Sequence, residues 1–295
     1  MTIALIDGDI VAYRAAVGLQ TRHVWGDGVV STDVDPQQAA SAALQTIEPW
    51  MKLARCKDAI VAFTGKNNFR KLILPTYKAN RAGNVKPLAY RPTVEAVEAT
   101  FVCRTIWGLE ADDVLGILAT RDTYSDAIVV SLDKDLRTIP GRHLNPLKED
   151  KPVLRSEYAA DAQWLTQTLT GDTSDGYTGI PRIGPKKAEA ILGGDVRAVA
   201  LLKQTATALW PRVAAAFVKA GLSETDALIQ ARVARILRNE DYDKVTKEVL
   251  LWTPRGDRPR LSISPASSVP TVGGSPTNTL TPPAPPADTS TSSEG

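Results

Sequence analysis

Short apolar runs that alternate with longer amphipathic runs constrain the fold of this 295-residue chain. Runs rich in β-branched residues predict strands at 3–6, 59–63 and 128–132. Helical spacing of apolar residues predicts helices at 36–53, 92–101 and 112–121. Strands that alternate with helices are typical of βαβ units. The chain is therefore expected to form an α/β fold, with a mostly parallel sheet flanked by helices.

Acidic residues form four short clusters, three at the ends of predicted elements and one in a turn. The nine carboxylates belong to Asp7, Asp9, Glu110, Asp112, Asp113, Asp133, Asp135, Asp172 and Asp175. Ligands of an open parallel sheet collect outside the carboxyl ends of its strands. Carboxylates that meet there repel one another unless cations neutralise them. We therefore expect two hard divalent cations, with Mg²⁺ suited to an all-oxygen ligand set and Mn²⁺ able to substitute.

Composition argues against several other classes of protein. The chain has two cysteines and two histidines, so a zinc site is not expected, and the thiols are interpreted as free in a reducing cytosol. No apolar run is long enough to span a membrane, and the first residues lack the pattern of a signal peptide. These features predict a cytoplasmic location and no membrane partner.

The stretch 66–91, here called the basic segment, contains seven cations and no acid. Its candidate DNA-binding residues are Lys66, Arg70, Lys71, Tyr77, Lys78, Arg81 and Lys86. Lysine and arginine neutralise phosphates, and aromatic faces stack on unpaired bases. A solvated basic loop is the alternative interpretation. Because the segment follows a strand whose end faces the acidic clusters, we expect it to bind single-stranded or frayed nucleic acid.

A turn at 179–188, here called the glycine hairpin, joins two predicted helical runs. Gly184 is expected to adopt a backbone conformation closed to other residues, and Pro185 suits the first turn of a helix. The N-terminus of that helix favours a phosphate, and two adjacent lysines add positive charge. The candidate contacts to the DNA backbone are Gly179, Ile180, Arg182, Gly184, Lys186 and Lys187. An ordinary corner between two helices is the alternative.

The second half of the chain is predicted to be helical and then disordered. Helices are expected at 185–192, 196–204, 209–219 and 224–238. From Pro254 onward the chain is rich in Pro, Ser and Thr, a composition that buries too little apolar area to offset its ordering entropy. We therefore expect a tail without fixed structure.

Five phrases resemble, in one order, the motifs of the 5′ nuclease superfamily, which includes flap endonucleases and phage 5′–3′ exonucleases. They are Asp7-Gly8-Asp9, Tyr77-Lys78-Ala79-Asn80-Arg81, Leu109-Glu110-Ala111-Asp112-Asp113, Asp133-Lys134-Asp135 and Gly171-Asp172-Thr173-Ser174-Asp175-Gly176-Tyr177. Each phrase alone is weak, but the five in order, followed by the glycine hairpin, are specific. The resemblance is greatest to the exonucleases of T7-like phages.

The resemblance implies a domain organisation and a ligand set. It implies a PIN-like nuclease domain at 1–168 with a helical arch at about 66–91, a helix–three-turn–helix DNA-binding region at 169–253 and a disordered tail at 254–295. It implies one metal at Asp7, Glu110, Asp112 and Asp113 and a second at Asp133, Asp135, Asp172 and Asp175. Relatives often hold K⁺ in the helix–three-turn–helix region. Lys78 and Arg81 match basic arch residues that approach the scissile phosphate.

One position departs from the family pattern. Many relatives carry a further aspartate just after the second strand, whereas this chain has Thr64-Gly65-Lys66 there. We expect Asp9, on the neighbouring strand, to lie within reach of that position and to compensate.

Together these observations predict a two-metal 5′–3′ exonuclease or flap endonuclease that leaves 5′-phosphorylated products. The catalytic residues would be Lys78, Arg81, Asp112 and Asp133, while Ser131 and Ser174 lack a partner base and are interpreted as strand and turn residues. The expected partners are duplex DNA with a free 5′ end, 5′ flaps, single-stranded 5′ ends and RNA–DNA hybrids. The protein is expected to be a monomer that acts in phage DNA replication, recombination or host DNA degradation, in the host cytoplasm. Two alternatives stay open, a DNA-structure-binding protein with a decayed nuclease site and a PIN-type ribonuclease.

Overall fold

The computed structural model describes residues 2–263. Its helices are α1 (Gly8–Gly18), α2 (Pro36–Leu53), α3 (Arg70–Ile73), α4 (Tyr90–Thr100), α5 (Ala111–Ala119), α6 (Glu157–Thr170), α7 (Pro185–Leu192), α8 (Val196–Leu201), α9 (Ala206–Lys219) and α10 (Glu224–Ala234). Its strands are β1 (Ile3–Asp7), β2 (Thr21–Val24), β3 (Val30–Asp33), β4 (Asp58–Phe63), β5 (Val102–Thr105), β6 (Ile128–Val130), β7 (Gly141–Leu144), β8 (Val153–Arg155), β9 (Tyr242–Asp243), β10 (Glu248–Leu250) and β11 (Arg260–Ser262).

Six strands form the main sheet, in the order β5-β4-β1-β6-β7-β8. All neighbours pair in parallel except β7 and β8, which are antiparallel. The chain first builds outward from β1 through β4 to β5 and then returns to place β6 on the other side of β1. The order of strands thus reverses between β1 and β6, and such a reversal opens a crevice at the carboxyl ends of the two strands. The prediction of a mostly parallel α/β sheet is confirmed.

Residues of β1 alternate between two apolar layers that cover the sheet. Leu5 packs in one layer with Leu115 of α5 and Val129 of β6. Ala4 and Ile6 point to the other layer, which contains apolar residues of α1, α2 and α4. Side chains of a strand alternate between the two faces of a sheet, so a strand buried on both sides reads as a continuous apolar run. Its carboxyl end is therefore held firmly in position.

The helical region has a core of its own, built around three tryptophans. Trp252 meets Trp164 of α6 edge-on at 4.9 Å between ring centroids and Trp210 of α9 at 5.2 Å. Helix α6 contributes Leu165 and Leu169 to the same core as α7–α10. The predicted domain boundary at 168/169 falls inside α6. Most of α6, the first helix of this core, therefore lies on the N-terminal side of that boundary.

Several predicted boundaries need correction. The predicted helix at 224–238 ends at Ala234, because Arg235 is extended and its side chain forms buried ion pairs. The hairpin of β2 and β3 and the short strands β5, β7 and β8 were not predicted. The basic segment contains α3, a single 3-10 turn at Ala79–Arg81 and the start of α4, joined by non-helical chain.

The predicted disordered tail begins too early. Residues 260–262 form β11, which pairs with β10, and Arg260 forms ion pairs with Asp243 and Glu248 at 2.9 Å. The side chain of Ile263 is buried in the layer that contains α5. The Pro- and Ser-rich composition hid these few ordering contacts. The rest of the predicted tail, residues 264–295, lies outside the described residues.

Candidate metal centre and DNA interface

Two adjoining cavities open at the carboxyl edge of the sheet. The first, of about 430 Å³, is lined at its acidic end by Asp7, Asp9, Glu110, Asp112 and Asp133. The second, of about 150 Å³, is lined by Glu110, Asp112, Asp133, Asp135 and Asp175. Asp7 ends β1, Asp112 lies in the first turn of α5, and Asp133 follows β6. Seven of the nine predicted acids therefore line these two connected spaces.

Asp7 is the most buried carboxylate on the β1 side. Its Oδ1 accepts a hydrogen bond from the backbone N–H of Ile10 at 3.2 Å, and its Oδ2 accepts one from the Ser131 hydroxyl at 3.0 Å. Burial, followed by the negative charges of Asp9 and Asp133, raises the pKa of Asp7 to about 7. Its carboxylate is therefore ionised at a cost that a nearby cation would remove.

Asp112 and Asp135 share this electrostatic situation. Burial raises the pKa of Asp112 well above its usual range, and the charges of Asp7 and Glu110 raise it further. Burial and then the charge of Asp133 raise the pKa of Asp135 to about 6. Three carboxyl groups in two connected cavities thus have raised pKa values, a pattern that marks a candidate functional site.

Glu110 is held in the opposite state by the basic segment. Burial alone would favour its neutral form, but Arg70 and Lys78 outweigh that effect and lower the pKa of Glu110 to about 2. The Lys78 amine forms an ion pair with Glu110 and lies 3.6 Å from Asp175 Oδ2. Arg81 donates to Asp175 Oδ1 at 2.6 Å. Lys78 and Arg81 also line both cavities, so cations and acids share the same space.

Asp9 lies beside the position where the family motif has a further acid. Its Oδ2 accepts a hydrogen bond from the backbone N–H of Thr64 at 3.2 Å, and its Oδ1 accepts one from the Tyr90 hydroxyl at 2.6 Å. The carboxylate of Asp9 therefore lies within reach of the end of β4, as expected, but Asp9 is in the first turn of α1 and not on the neighbouring strand. Whether it replaces the missing acid as a ligand stays a prediction.

Asp113 and Arg70 require correction, because they form a buried ion pair and do not serve the site as predicted. Arg70 donates to both carboxylate oxygens of Asp113, at 2.7 and 2.8 Å. The same oxygens accept from the backbone N–H groups of Glu110 and Leu237. Arg70 also donates to the carbonyl oxygens of Val233 and Arg235. Neither side chain is free for a metal or for DNA, since Arg70 is 3% exposed and Asp113 is fully buried.

Tyr77 is likewise unavailable for the predicted stacking on bases. Its ring is buried, and the Arg70 guanidinium carbon and the Lys78 amine lie 5.7 and 5.0 Å from the ring centroid. Its hydroxyl donates to Glu110 at 2.8 Å and lies 3.1 Å from Asp175 Oδ2. Tyr77 thus links acids that come from two distant parts of the chain.

Asp172 does not line either cavity and instead shapes the turn before the glycine hairpin. Its Oδ1 accepts from the backbone N–H groups of Ser174 and Asp175 and from the Ser174 hydroxyl. Burial opposes ionisation, but these hydrogen bonds outweigh it and lower the pKa of Asp172. If Asp172 helps to bind the second metal, as predicted, it must do so from outside the two cavities.

The glycine hairpin differs from its prediction in one respect. Gly184, the residue before α7, has a φ of −101°, which any residue can adopt. The left-handed conformations fall at Gly179 and Arg182, with φ values of 57° and 64°. Gly179 is buried, and a Cβ there would lie 2.3 Å from the Gly171 backbone nitrogen, so close chain approach requires glycine at this position.

The hairpin's other predicted contacts divide into buried and exposed residues. Ile180 is buried in the helical core, so its side chain cannot face DNA. Pro185 opens α7 as predicted, and Arg182, Gly184, Lys186 and Lys187 are exposed. Lys66, Lys71 and Lys86 of the basic segment are also exposed, and the Lys86 amine lies over the Tyr90 ring at 3.8 Å. These exposed cations remain candidates for phosphate contacts.

Two site residues were missed or underrated from the sequence. The Ser131 hydroxyl bridges two of the acidic residues. It donates a hydrogen bond to Asp7 Oδ2 and accepts one from the backbone N–H of Asp133, each at 3.0 Å. Gln167 of α6 donates to Asp135 Oδ1 at 2.7 Å. No local motif marks Gln167, because its role depends on where α6 packs. The sequence did contain a signal for Ser131, because it lies near the end of a predicted strand and comes two residues before Asp133.

Side chains in the described chain are not arranged as a complete set of ligands. Among residues 2–263, no three His, Cys, Asp or Glu side chains are placed to hold one ion together. The acids are instead engaged by Lys78, Arg81, Tyr77 and Tyr90. In the same part of the chain, no helix has the length and apolar character needed to cross a membrane.

Comparisons with known proteins identify the class to which this fold and this acidic, cation-lined crevice belong. A family model described as the 5′–3′ exonuclease, N-terminal resolvase-like domain matches residues 2–164. The chain belongs to this 5′–3′ exonuclease family. It is 30% identical to the exodeoxyribonuclease of Enterobacteria phage T3 over 281 residues, which cover 86% of this chain and 93% of that protein. It is 29% identical to the exonuclease of Escherichia phage T7, with 85% and 93% covered.

Solved structures with a similar fold come from phage T5. The D15 protein co-crystallised with metal ions matches with a TM-score of 0.51 and 20% identity, covering 79% of this chain and 93% of that one. The T5 5′-exonuclease with bound divalent metal ions (zinc) matches with a TM-score of 0.52 and 19% identity, covering 80% and 99%. At these identities the match establishes the shared fold.

Proposed function

We propose that this chain is a divalent-metal-dependent 5′–3′ exonuclease and flap endonuclease that hydrolyses DNA phosphodiesters near free 5′ ends. The observation that carries the proposal is the convergence of Asp7, Asp112, Asp133, Asp135 and Asp175 on two connected cavities beside Lys78 and Arg81. Family membership supports a nuclease. The phage T3 and T7 relatives, named as exonucleases, support action on DNA.

Two Mg²⁺ ions are the proposed cofactors, and Mn²⁺ is expected to substitute. The donor set fits hard cations, because it consists of carboxylate oxygens. The raised pKa values of Asp7, Asp112 and Asp135 would fall with a cation near. Asp7, Asp9, Glu110 and Asp112 would hold one ion, and Asp133, Asp135 and Asp175 the other, with Asp172 acting through its turn. When bound, such a pair lowers the pKa of water and stabilises charge on attacking and leaving oxygens.

The chain's own cations would act on the substrate. Lys78 and Arg81, which line both cavities, would release the acids they now contact and offset charge that develops on the scissile phosphate. Gln167 and Ser131 would keep Asp135 and Asp7 oriented. Products would carry the phosphate at their 5′ ends.

DNA is the proposed partner, gripped behind the site by the glycine hairpin. Lys186 and Lys187 lie in the first turn of α7, at the positive end of the helix dipole, which favours a phosphate. Such contacts are independent of sequence. A K⁺ ion in this hairpin, a monomeric state and activity on RNA–DNA hybrids belong to the same proposal.

The test is an analysis of products from 5′-labelled duplex DNA, flap DNA and the matching RNA–DNA hybrid. We expect 5′-phosphorylated mononucleotides or short oligonucleotides with Mg²⁺ and none with EDTA. Asp112→Ala and Asp133→Ala should abolish cleavage and retain DNA binding, whereas the exposed Asp126→Ala should cleave normally. Binding without cleavage in any divalent metal would favour a DNA-structure-binding protein. Cleavage of single-stranded RNA alone would favour a ribonuclease.

A further inference from the structure

Two stretches that lie about a hundred residues apart in sequence are docked together beside the second cavity. The backbone N–H of Lys78 donates to the Asp175 carbonyl oxygen at 2.7 Å. The side-chain amide of Asn80 donates to the Ser174 carbonyl oxygen at 3.2 Å. We call this junction of residues 76–81 and 172–177 the segment clasp. It joins the basic segment to the turn that leads into the glycine hairpin.

The clasp holds Lys78 in an unusual backbone conformation. Lys78 has a φ of 52°, in the left-handed region that residues with a Cβ rarely adopt. Such a conformation persists only where the surrounding contacts determine it. From this backbone the Lys78 amine reaches Glu110 and lies 3.6 Å from Asp175 Oδ2.

Gly176 permits the two stretches to approach this closely. Its φ is 78°, and a Cβ added there would lie 2.6 Å from the Thr76 carbonyl oxygen and 3.2 Å from the Lys78 nitrogen. A backbone oxygen cannot move aside as a flexible side chain can. Any larger residue at this position therefore has to push the Lys78 backbone away from the turn.

We infer that Asn80 and Gly176 are positioning residues that fix the Lys78 amine relative to Glu110 and Asp175. The inference rests on the proposed function, because it assigns the position of a cation used in that reaction. Neither residue lines either of the two acidic cavities, so neither is expected to touch the reacting phosphate. The clasp therefore makes the geometry of the nuclease site depend on the turn that begins the DNA-binding hairpin.

The test separates the cleavage rate from DNA affinity in Asn80→Ala and Gly176→Ala. Single-turnover cleavage of 5′-labelled flap DNA with Mg²⁺ should slow about 10-fold in each variant, since small displacements of catalytic groups are costly. Affinity for the same DNA, measured by fluorescence anisotropy in EDTA, should stay within about twofold, because the phosphate-binding lysines are untouched. Gly221→Ala is the matched control, with a φ of 80° and open space around the added Cβ, and it should cleave at the wild-type rate.

Several outcomes would overturn the inference. Wild-type cleavage rates in both variants would do so, as would a loss of affinity equal to the loss of rate. If Gly176→Ala fails to fold, Asn80→Ala decides alone, because Asn80 is exposed and its loss leaves the core intact. An inactive wild-type chain would refute the proposed function and this inference with it, whereas an active wild type and an unaffected Asn80→Ala would refute only the positioning role.

Discussion

Individual carboxyl groups in the crevice differ in what keeps them charged. Asp7 and Asp135 are buried beside other acids, and their pKa values are raised to about 7 and about 6. Glu110 is also buried but meets Arg70 and Lys78, and its pKa is lowered to about 2. Cations from the chain therefore neutralise one side of the crevice, and the other side carries repulsion that a bound metal would relieve.

Burial of the Asp7 carboxylate, followed by repulsion from neighbouring acids, predicts that Asp7→Asn stabilises the metal-free protein. The folded pKa of Asp7, about 7, is above its ordinary value of 3.8, so the unfolded chain releases its proton first as the pH rises. The free energy of unfolding that is lost by ionising the folded Asp7 is therefore zero below about pH 4 and reaches its full value above about pH 7. Asp7→Asn should therefore raise the free energy of unfolding by about 2 to 4 kcal/mol at about pH 8 and have little effect at about pH 4.

Urea denaturation of the metal-free protein at the two pH values measures this difference. The exposed Asp126→Asn is the control and should change stability by less than about 0.5 kcal/mol at either pH. A destabilised Asp7→Asn at the higher pH would mean that hydrogen bonds to Asp7 outweigh its desolvation.

Arg70→Ala should destabilise the fold because it leaves the fully buried Asp113 without its partner. Removing one member of a buried ion pair costs about 3 to 5 kcal/mol. The neighbouring exposed Lys71→Ala should cost less than about 0.5 kcal/mol in the same denaturation assay. If Arg70→Ala instead keeps its stability and loses only DNA affinity, the structural role given to this pair is wrong.

Helices and strands with strong local signals could be predicted closely from the sequence. Helix α2 begins after Asp35, whose side chain accepts from the Gln37 and Gln38 N–H groups, with Pro36 in its first turn. Its predicted bounds of 36–53 match the structure. Strands β2, β5 and β8 are short and mostly exposed, so they carry little apolar pattern to detect. Strand β11 was missed because it lies in a stretch whose overall composition is that of a disordered segment.

The two lysines in the first turn of α7 are expected to contribute to DNA affinity. Lys186→Ala combined with Lys187→Ala should weaken binding of duplex DNA and flatten its salt dependence, since each lost phosphate contact lowers the slope of log K against log salt by about 0.9. The single-turnover cleavage rate at saturating enzyme should be unchanged, because these lysines do not line the catalytic cavities. Lys52→Ala, on the exposed side of α2, serves as the control. An unaltered salt slope would exclude the hairpin as the duplex contact.

Across the whole chain, the acidic residues of the site could be predicted from the sequence more completely than the contacts that hold them in place. The positions of Asp7 and Asp133 follow from strand order, because Asp7 ends β1, Asp133 lies just after β6, and these two strands flank the point of reversal. By contrast, Asp113 and Asp112 are adjacent and look equivalent in sequence, and only packing against Arg70 separates the structural acid from the cavity-lining one. The partners of Gln167 and Asn80 lie 32 and 94 residues away, beyond the reach of any local pattern.

Completion of the site also depends on both parts of the chain. Asp175 and Gln167 come from the helical region, and Asp7, Asp112 and Asp133 come from the sheet. Buried ion pairs such as Arg238 with Asp161, at 2.6 Å, connect α6 to the chain that follows α10.

Titration of the metal-free protein with Mn²⁺, with free ion followed by electron paramagnetic resonance, tests whether these acids form a metal centre. We expect saturation at two bound ions in the wild-type chain. The Asp7→Asn, Asp112→Asn double variant should lose one ion, the Asp135→Asn, Asp175→Asn double variant should lose the other, and Asp126→Asn should keep both. Absence of saturable binding, or two unaltered ions in both double variants, would contradict the convergence of these acids on a pair of divalent cations.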